Sequence, residues 1–262
     1  MTCRHLKIIV SEEPIILYKY LRFGDGARAV LRDSTIKFTS PVEFNDPFDS
    51  RVELLLEGSD KDWKKFFNRA ISEYSHKKMS PAKRMISASR LARKAQSDEA
   101  LNGKSFVDYV NDFGVLCLSE VNDDILMWSH YADSHQGICI GFRASPTDYY
   151  FRRALPVNYA DEYPNITLFD DNDKRMEATL LTKSNHWKYE KEWRIVEHQE
   201  GAGIHPYPEE MLACVILGLN FPQECREEII NMLASKHRKV EILEAKMCER
   251  KFAIEITSIP NQ

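Results

Sequence analysis

The spacing of short apolar runs constrains this fold more than any other feature. Residues 15–20, 36–40, 115–119, 137–142, 155–159, 193–197, 213–217, 240–243 and 252–257 each have the length and composition of a strand. Helical patterns separate only some of them, at 27–31, 60–74, 81–95, 173–183 and 222–237. The regular strand–helix–strand alternation of a doubly wound fold is missing. The expectation is an α+β chain with mixed, largely antiparallel sheets. Residues 1–262 are read as a single α+β domain.

Residues 60–104 read as a basic helical insertion in that domain. Trp63, Phe66, Phe67, Ala70, Ile71 and Tyr74 recur at helical spacing. Ser80 followed by Pro81 has the form of an N-cap and first helical position, which opens a second helix to about Ala95. The stretch carries 12 Lys and Arg against 5 Asp and Glu, in a chain whose net charge is −4. That contrast points either to a solvated face or to a surface for a nucleic-acid or acidic protein acceptor.

Composition excludes several classes. No apolar run approaches the roughly 18 residues of a membrane span, so no membrane partner is expected. The first ten residues lack the apolar region of a signal peptide. Six cysteines at 3, 117, 139, 214, 225 and 248 form no C-x-x-C pair, which suits a reducing cytoplasm and argues against a cysteine zinc site. There is no P-loop, no G-x-G-x-x-G and no G-x-S-x-G elbow.

Three segments crowd rings and ionisable groups together. In Tyr189-Glu190-Lys191-Glu192-Trp193-Arg194, a strand would put Glu190, Glu192 and Arg194 on one face. They would form either a solvated ladder or carboxylates whose pKa is tuned by aromatic neighbours and an Arg. In Phe44-Asn45-Asp46-Pro47-Phe48-Asp49, the Asn and Asp side chains either fix an Asx-turn or bind a ligand hydroxyl or amide. The stretch from Met127 to Phe142 holds Trp128, His130, Tyr131, Asp133 and His135 before Gly137. His130 and His135 are five apart, not the three or four of a helical metal pair. His130 beside Tyr131 suits stacking on a planar ligand, and Trp128 suits the core.

Taken together, these blocks resemble a large uncharacterised bacterial family. They are Leu17-Tyr18-Lys19-Tyr20, Phe44 to Asp49, Gly114 to Ser119, Met127 to Phe142, and the run from Lys183 to Arg194, which occur in that order over residues 15–218. The opening also looks like that of ADP-ribosyltransferase-fold proteins, which implies a split sheet. Lys19, between Tyr18 and Tyr20, stands where the first motif has His or Arg. Phe38-Thr39-Ser40 is similar to the second motif and points to Ser40. Glu192 or Glu190 would be the third, catalytic, residue.

What this resemblance implies is cleavage of NAD, with transfer or release of ADP-ribose, in a toxin or phage-defence effector. Glu192 is the favoured catalytic carboxylate, with Glu190 and His130 beside it. Lys19, Ser40, Asn45, Asp46 and Arg194 would hold the dinucleotide, with Tyr18, Tyr20 and Tyr131 around the nicotinamide. Two other expectations compete. One is a metal-dependent nuclease that gathers Asp46, Asp49, Glu190 and Glu192 around Mg²⁺. The other is a nucleotide sensor that binds without turnover.

Overall fold

A computed structural model describes residues 15–55, 58–74, 79–96, 110–144, 149–167 and 169–259. In chain order the elements are β1 (Ile15–Leu21), α1 (Asp25–Asp33), β2 (Thr35–Phe38), β3 (Glu53–Leu55), α2 (Asp60–Tyr74), α3 (Pro81–Gln96), β4 (Gly114–Ser119), α4 (Ile125–Tyr131), β5 (Ile138–Ala144) and α5 (Tyr149–Arg152). They continue with β6 (Leu155–Pro156), β7 (Asn158–Ala160), β8 (Asn165–Thr167), α6 (Asn172–Leu180), β9 (Thr182–Ser184), β10 (Glu192–Glu197), β11 (Gly203–Pro206), β12 (Leu212–Leu217), α7 (Arg226–Ala234), β13 (Glu241–Met247) and β14 (Ile254–Ser258). The fold is α+β, as the irregular spacing of strand-like runs led one to expect.

Among the described residues, eight strands form one mixed sheet in the order β14-β13-β12-β5-β1-β4-β10-β6. Only β12 and β13 pair in parallel; every other contact in this sheet is antiparallel. β5 is buried along almost its whole length, which explains its unbroken apolar run. α1 covers one face with Ala27, Val30 and Leu31, and α7 adds Ile229 and Leu233 to the same cluster as Leu17, Phe38, Leu116, Ile140 and Phe142.

One junction in this sheet is weak. β1 meets β5 along all seven of its residues, from Ile15 to Leu21, but meets β4 only at Tyr18 opposite Ser119. β4 instead pairs fully with β10, from Gly114–Glu197 to Ser119–Glu192. The sheet therefore splays between β1 and β4. Two side chains bridge the gap: Lys19 Nζ donates to the Cys117 carbonyl at 2.9 Å, and Tyr20 Oη donates to the Val121 carbonyl at 3.0 Å.

The two helices expected within 60–104 are present as α2 and α3; residues 75–78 and 97–104 lie outside the described residues. Trp63 is buried against Ala92 and Ala95, and Phe67 and Phe169 close this cluster. The pair thus has a small core of its own. The Ser80 hydroxyl accepts the Lys83 amide, so the expected cap forms.

Several expected elements change extent: the strand read over 155–159 divides into β6 and β7, which join different sheets, and the helix read over 222–237 is shorter, Arg226–Ala234. The helix read over 173–183 stops at Leu180, and Thr182–Ser184 pairs with β7 instead, Lys183 opposite Tyr159. Residues 190–194 are not one strand. Asn185–Glu190 is a 3-10 helix, Lys191 takes φ 41° in the left-handed region, and β10 begins only at Glu192. The Glu190, Glu192 and Arg194 side chains still converge: Glu192 and Arg194 share a face of β10 by strand alternation, and the turn at Lys191 brings Glu190 beside them.

Candidate functional site

The splay between β1 and β4 opens a cleft with about 520 Å³ of empty space, counting its mouth. Tyr18, Lys19 and Tyr20 line it from β1, Cys117 to Ser119 from β4, Met127 and Tyr131 from α4, and Phe44, Asn45 and Asp49 from the loop after β2. Its charged floor comes from Lys183, Glu190, Glu192 and Arg194, together with Asp49.

That floor is a buried ion network. Arg194, only 1% exposed, gives its guanidinium to two carboxylates at once. Nε and Nη2 donate to Glu192 at 2.8 and 3.0 Å, and Nη1 and Nη2 donate to Asp49 at 2.9 and 2.6 Å. A fifth bond, from Nη1 to the Leu180 carbonyl at 2.9 Å, ties the end of α6 to the network. Lys183 Nζ donates to Glu190 at 2.5 Å and to Glu192 at 3.0 Å. Tyr131 Oη donates to the other Glu190 oxygen at 2.6 Å. The Ser119 hydroxyl donates to the Glu190 carbonyl at 2.6 Å, which fixes the 3-10 turn against β4. Bonds to ionised groups of this geometry are about twice as strong as neutral ones.

The network separates its two glutamates. Burial raises the Glu192 carboxyl, but Arg194 and Lys183 outweigh burial and bring it down to about 2. Burial also raises Glu190; there Lys183 does not win, the Glu192 charge adds to the rise, and the carboxyl stays above its usual range. Burial would neutralise Lys183, yet Glu192 and Glu190 hold its ammonium above the usual lysine range. Burial, then the Glu190 charge, lifts the Tyr131 phenol. The Cys117 thiol is pushed up to about 12 by burial and by Glu192, so it stays protonated. Two carboxylates whose environments drive their pKa values apart are the pattern of a divided acid–base role.

Of the residues singled out from sequence, Tyr18, Lys19, Tyr20, Asn45, Tyr131, Glu190, Glu192 and Arg194 line this cleft. Three others have different tasks. The Ser40 hydroxyl donates to the Asn111 carbonyl and caps the short helix Pro41–Glu43. Asp46 accepts the Phe48 amide at 2.9 Å, an Asx-turn that shapes the loop carrying Asn45 and Asp49. His130 is exposed and does not line the cleft. Lys183 was missed as a site residue, although it opens the block that ends at Arg194.

The dense stretch after Met127 divides its labour. Trp128 is fully buried and packs edge-on to Tyr20, and its ring nitrogen donates to the Asn122 carbonyl. Asp133, Ser134 and His135 take φ values of 49°, 52° and 67°, three successive left-handed residues. His135 also stacks parallel to Trp128. Much of the polarity of this stretch thus serves a strained turn, which Asp and His tolerate better than most residues.

Residues 127–195 match a protein family of unknown function, DUF2971. The matched span runs from α4 into β10 and includes Tyr131, Lys183, Glu190, Glu192 and Arg194; Lys19 and Asp49 fall outside it. No curated protein and no solved structure matches the chain. Among the described residues no helix is long and apolar enough to cross a membrane.

Proposed function

We propose that the cleft binds NAD and cleaves its bond between nicotinamide and ribose, in the manner of an ADP-ribosyltransferase or NAD glycohydrolase, with Glu190 as the working carboxylate. The observation that carries this reading is the charge count of the floor. Two cations, Lys183 and Arg194, face three acids, Asp49, Glu190 and Glu192. Arg194 clamps Asp49 and Glu192, and Lys183 is divided between Glu190 and Glu192, so the floor is one positive charge short and Glu190, which Arg194 does not reach, is the acid left with a shared cation. It is also the acid nearest an aromatic hydroxyl.

Chemistry of this kind would use such a group directly. As the C1′–N bond lengthens, its electron pair leaves with nicotinamide, which departs neutral, and positive charge gathers on the ribose. A fixed carboxylate beside that charge stabilises it without reorganising, and this is often the largest catalytic effect. Water, or an acceptor hydroxyl or amine, then adds at C1′ and releases a proton, for which Glu190 is the nearest base. The faces of Tyr18, Tyr20 and Tyr131 suit a planar cationic ring. The splay of the sheet between β1 and β4 supports the likeness to a split-sheet transferase. For transfer, the basic α2–α3 pair offers a face toward an acidic or nucleic-acid acceptor.

This reading moves the working role from Glu192 to Glu190. Glu192 has both oxygens engaged by Arg194 and Lys183, and it serves as the fixed counter-charge. The nuclease reading draws less support, because Asp46 is turned to a backbone amide and Asp49 and Glu192 are held by Arg194. The test is nicotinamide release from saturating NAD by the purified protein. Glu190→Gln should lower kcat by about 100-fold or more with little change in KM, the scale of one positioned acid–base group. A wild-type protein that releases no nicotinamide refutes the reading. NAD binding without turnover would favour the sensor.

A further inference from the structure

Beside the cleft lies a second group of rings that its chemistry does not use. His130 and Trp187 meet with centroids 6.5 Å apart at 70°, so their faces form a corner. The Tyr189 ring lies 6.1 Å from Trp187, tilted at 43°. Trp187 is only partly buried, and unlike the other described tryptophans it is packed against none of the hydrophobic clusters. It also meets the floor: Lys183 Nζ lies 5.1 Å from the indole centroid. His130 touches Tyr131, a cleft-lining residue, at 6.3 Å. The rings thus adjoin the cleft through Lys183 and Tyr131.

A tryptophan outside any core, cornered by an exposed imidazole at the edge of a charged cleft, has the form of a stacking platform. Bases stack on such platforms whatever their sequence, because every base has a π face. We propose that His130, Trp187 and Tyr189 form a second subsite, one that takes the purine ring of the same ligand whose other ring enters the cleft. The site would then select a dinucleotide over a mononucleotide. This rests on the NAD reading only for the identity of the first ring.

The test is calorimetric titration with three probes, adenosine monophosphate, nicotinamide mononucleotide and NAD. Wild-type protein is expected to bind adenosine monophosphate. Trp187→Ala should weaken adenosine monophosphate and NAD by about 10-fold, the scale of one lost base–aromatic stack, and leave nicotinamide mononucleotide within about 2-fold. Trp187→Phe, which keeps a ring, should restore most of the loss, and His130→Ala should give a smaller loss with the same selectivity. The subsite is overturned if wild-type protein does not bind adenosine monophosphate, if Trp187→Ala leaves that affinity unchanged, or if nicotinamide mononucleotide weakens equally. Adenosine monophosphate binding lost in Trp187→Ala, together with an absence of NAD cleavage, would sustain the subsite and remove only the catalytic reading.

Discussion

Arg194→Met is the most informative single change in this molecule. Methionine keeps much of the length of the side chain and removes its charge. Two carboxylates, Asp49 and Glu192, then lose their bidentate partner in a site where Arg194 itself is 1% exposed. Breaking a buried pair from one side costs about 3–5 kcal/mol, because the remaining charge has no solvent. At about 2 °C per kcal/mol for a chain of this length, melting should fall by roughly 6–10 °C at pH 7. The pH dependence gives a second, independent reading. The Glu192 carboxyl sits at about 2, below the usual carboxylate value, so its contribution is complete above that usual value and is lost as pH falls toward 2. In Arg194→Met the part owed to Arg194, larger than the part owed to Lys183, is gone at every pH. The gap between the two proteins should be widest above pH 5 and narrow toward pH 3, as followed by calorimetry or circular dichroism. A gap below about 2 °C at pH 7, or one of equal size at pH 7 and pH 3, would refute the ion network as described.

The two glutamates should respond in opposite senses. Glu192→Gln removes an acid held at about 2 and should cost about 3 kcal/mol at pH 7, since each pH unit by which folding lowers a carboxyl is worth roughly 1.4 kcal/mol. That loss should fade as pH falls below the usual carboxylate range. Glu190 is raised, so the stability owed to its neutral form is complete below that range and is lost as pH climbs through its folded value. Glu190→Gln, which resembles that neutral form, should leave melting at pH 7–8 unchanged or slightly higher; a drop as large as that of Glu192→Gln would contradict the assignment. Ser134→Gly relieves the middle residue of the left-handed run, at about 1–2 kcal/mol, less about 0.5–1 kcal/mol for the freer unfolded glycine. It should raise melting by roughly 1–2 °C, and a lower melting temperature would show that the turn is not strained there.

Periodicity and length made the secondary structure legible where packing follows local pattern. β5 and β12 are apolar because both faces are covered, and Trp63, Phe66 and Phe67 sit at helical spacing because α2 packs on α3. The boundary at Leu180 was not legible. Residues 173–183 have helical composition throughout, and only the pairing of β9 with β7, a contact between distant segments, takes Lys183 out of the helix. The same holds for the turn at Lys191, where the backbone hydrogen bond from Glu120 N to the Lys191 carbonyl fixes a conformation that residue type alone would not suggest. Chemistry-bearing residues were easier to see as a set than to place. Ser40, Asp46 and His130 have the same side-chain types as true ligands. What separates them from the cleft lining is that Ser40 and Asp46 satisfy backbone groups, while His130 is exposed and belongs to the ring group around Trp187.

Stability alone does not explain a floor of five charges. Replacing a buried ion cluster by packed apolar side chains is often neutral or stabilising by about 1–4 kcal/mol. A cluster that served only the fold would also be expected to balance, and this one has three acids for two cations. The neighbouring cation, Lys19, keeps its charge but points it at the Cys117 carbonyl across the splay and makes no ion pair with the three acids, which pair with Lys183 and Arg194. The surplus is localised, because Glu192 and Asp49 are clamped by Arg194 while Glu190 shares Lys183 with Glu192 and leans on a neutral phenol. Protonating Glu190 neutralises the floor; ionising it leaves one negative charge facing the aromatic wall of the cleft. A ligand with one delocalised positive charge and a flat ring would complete the same count without a proton. The fixed pairs therefore act as the frame, and the one acid they leave unbalanced is where ligand charge and proton compete.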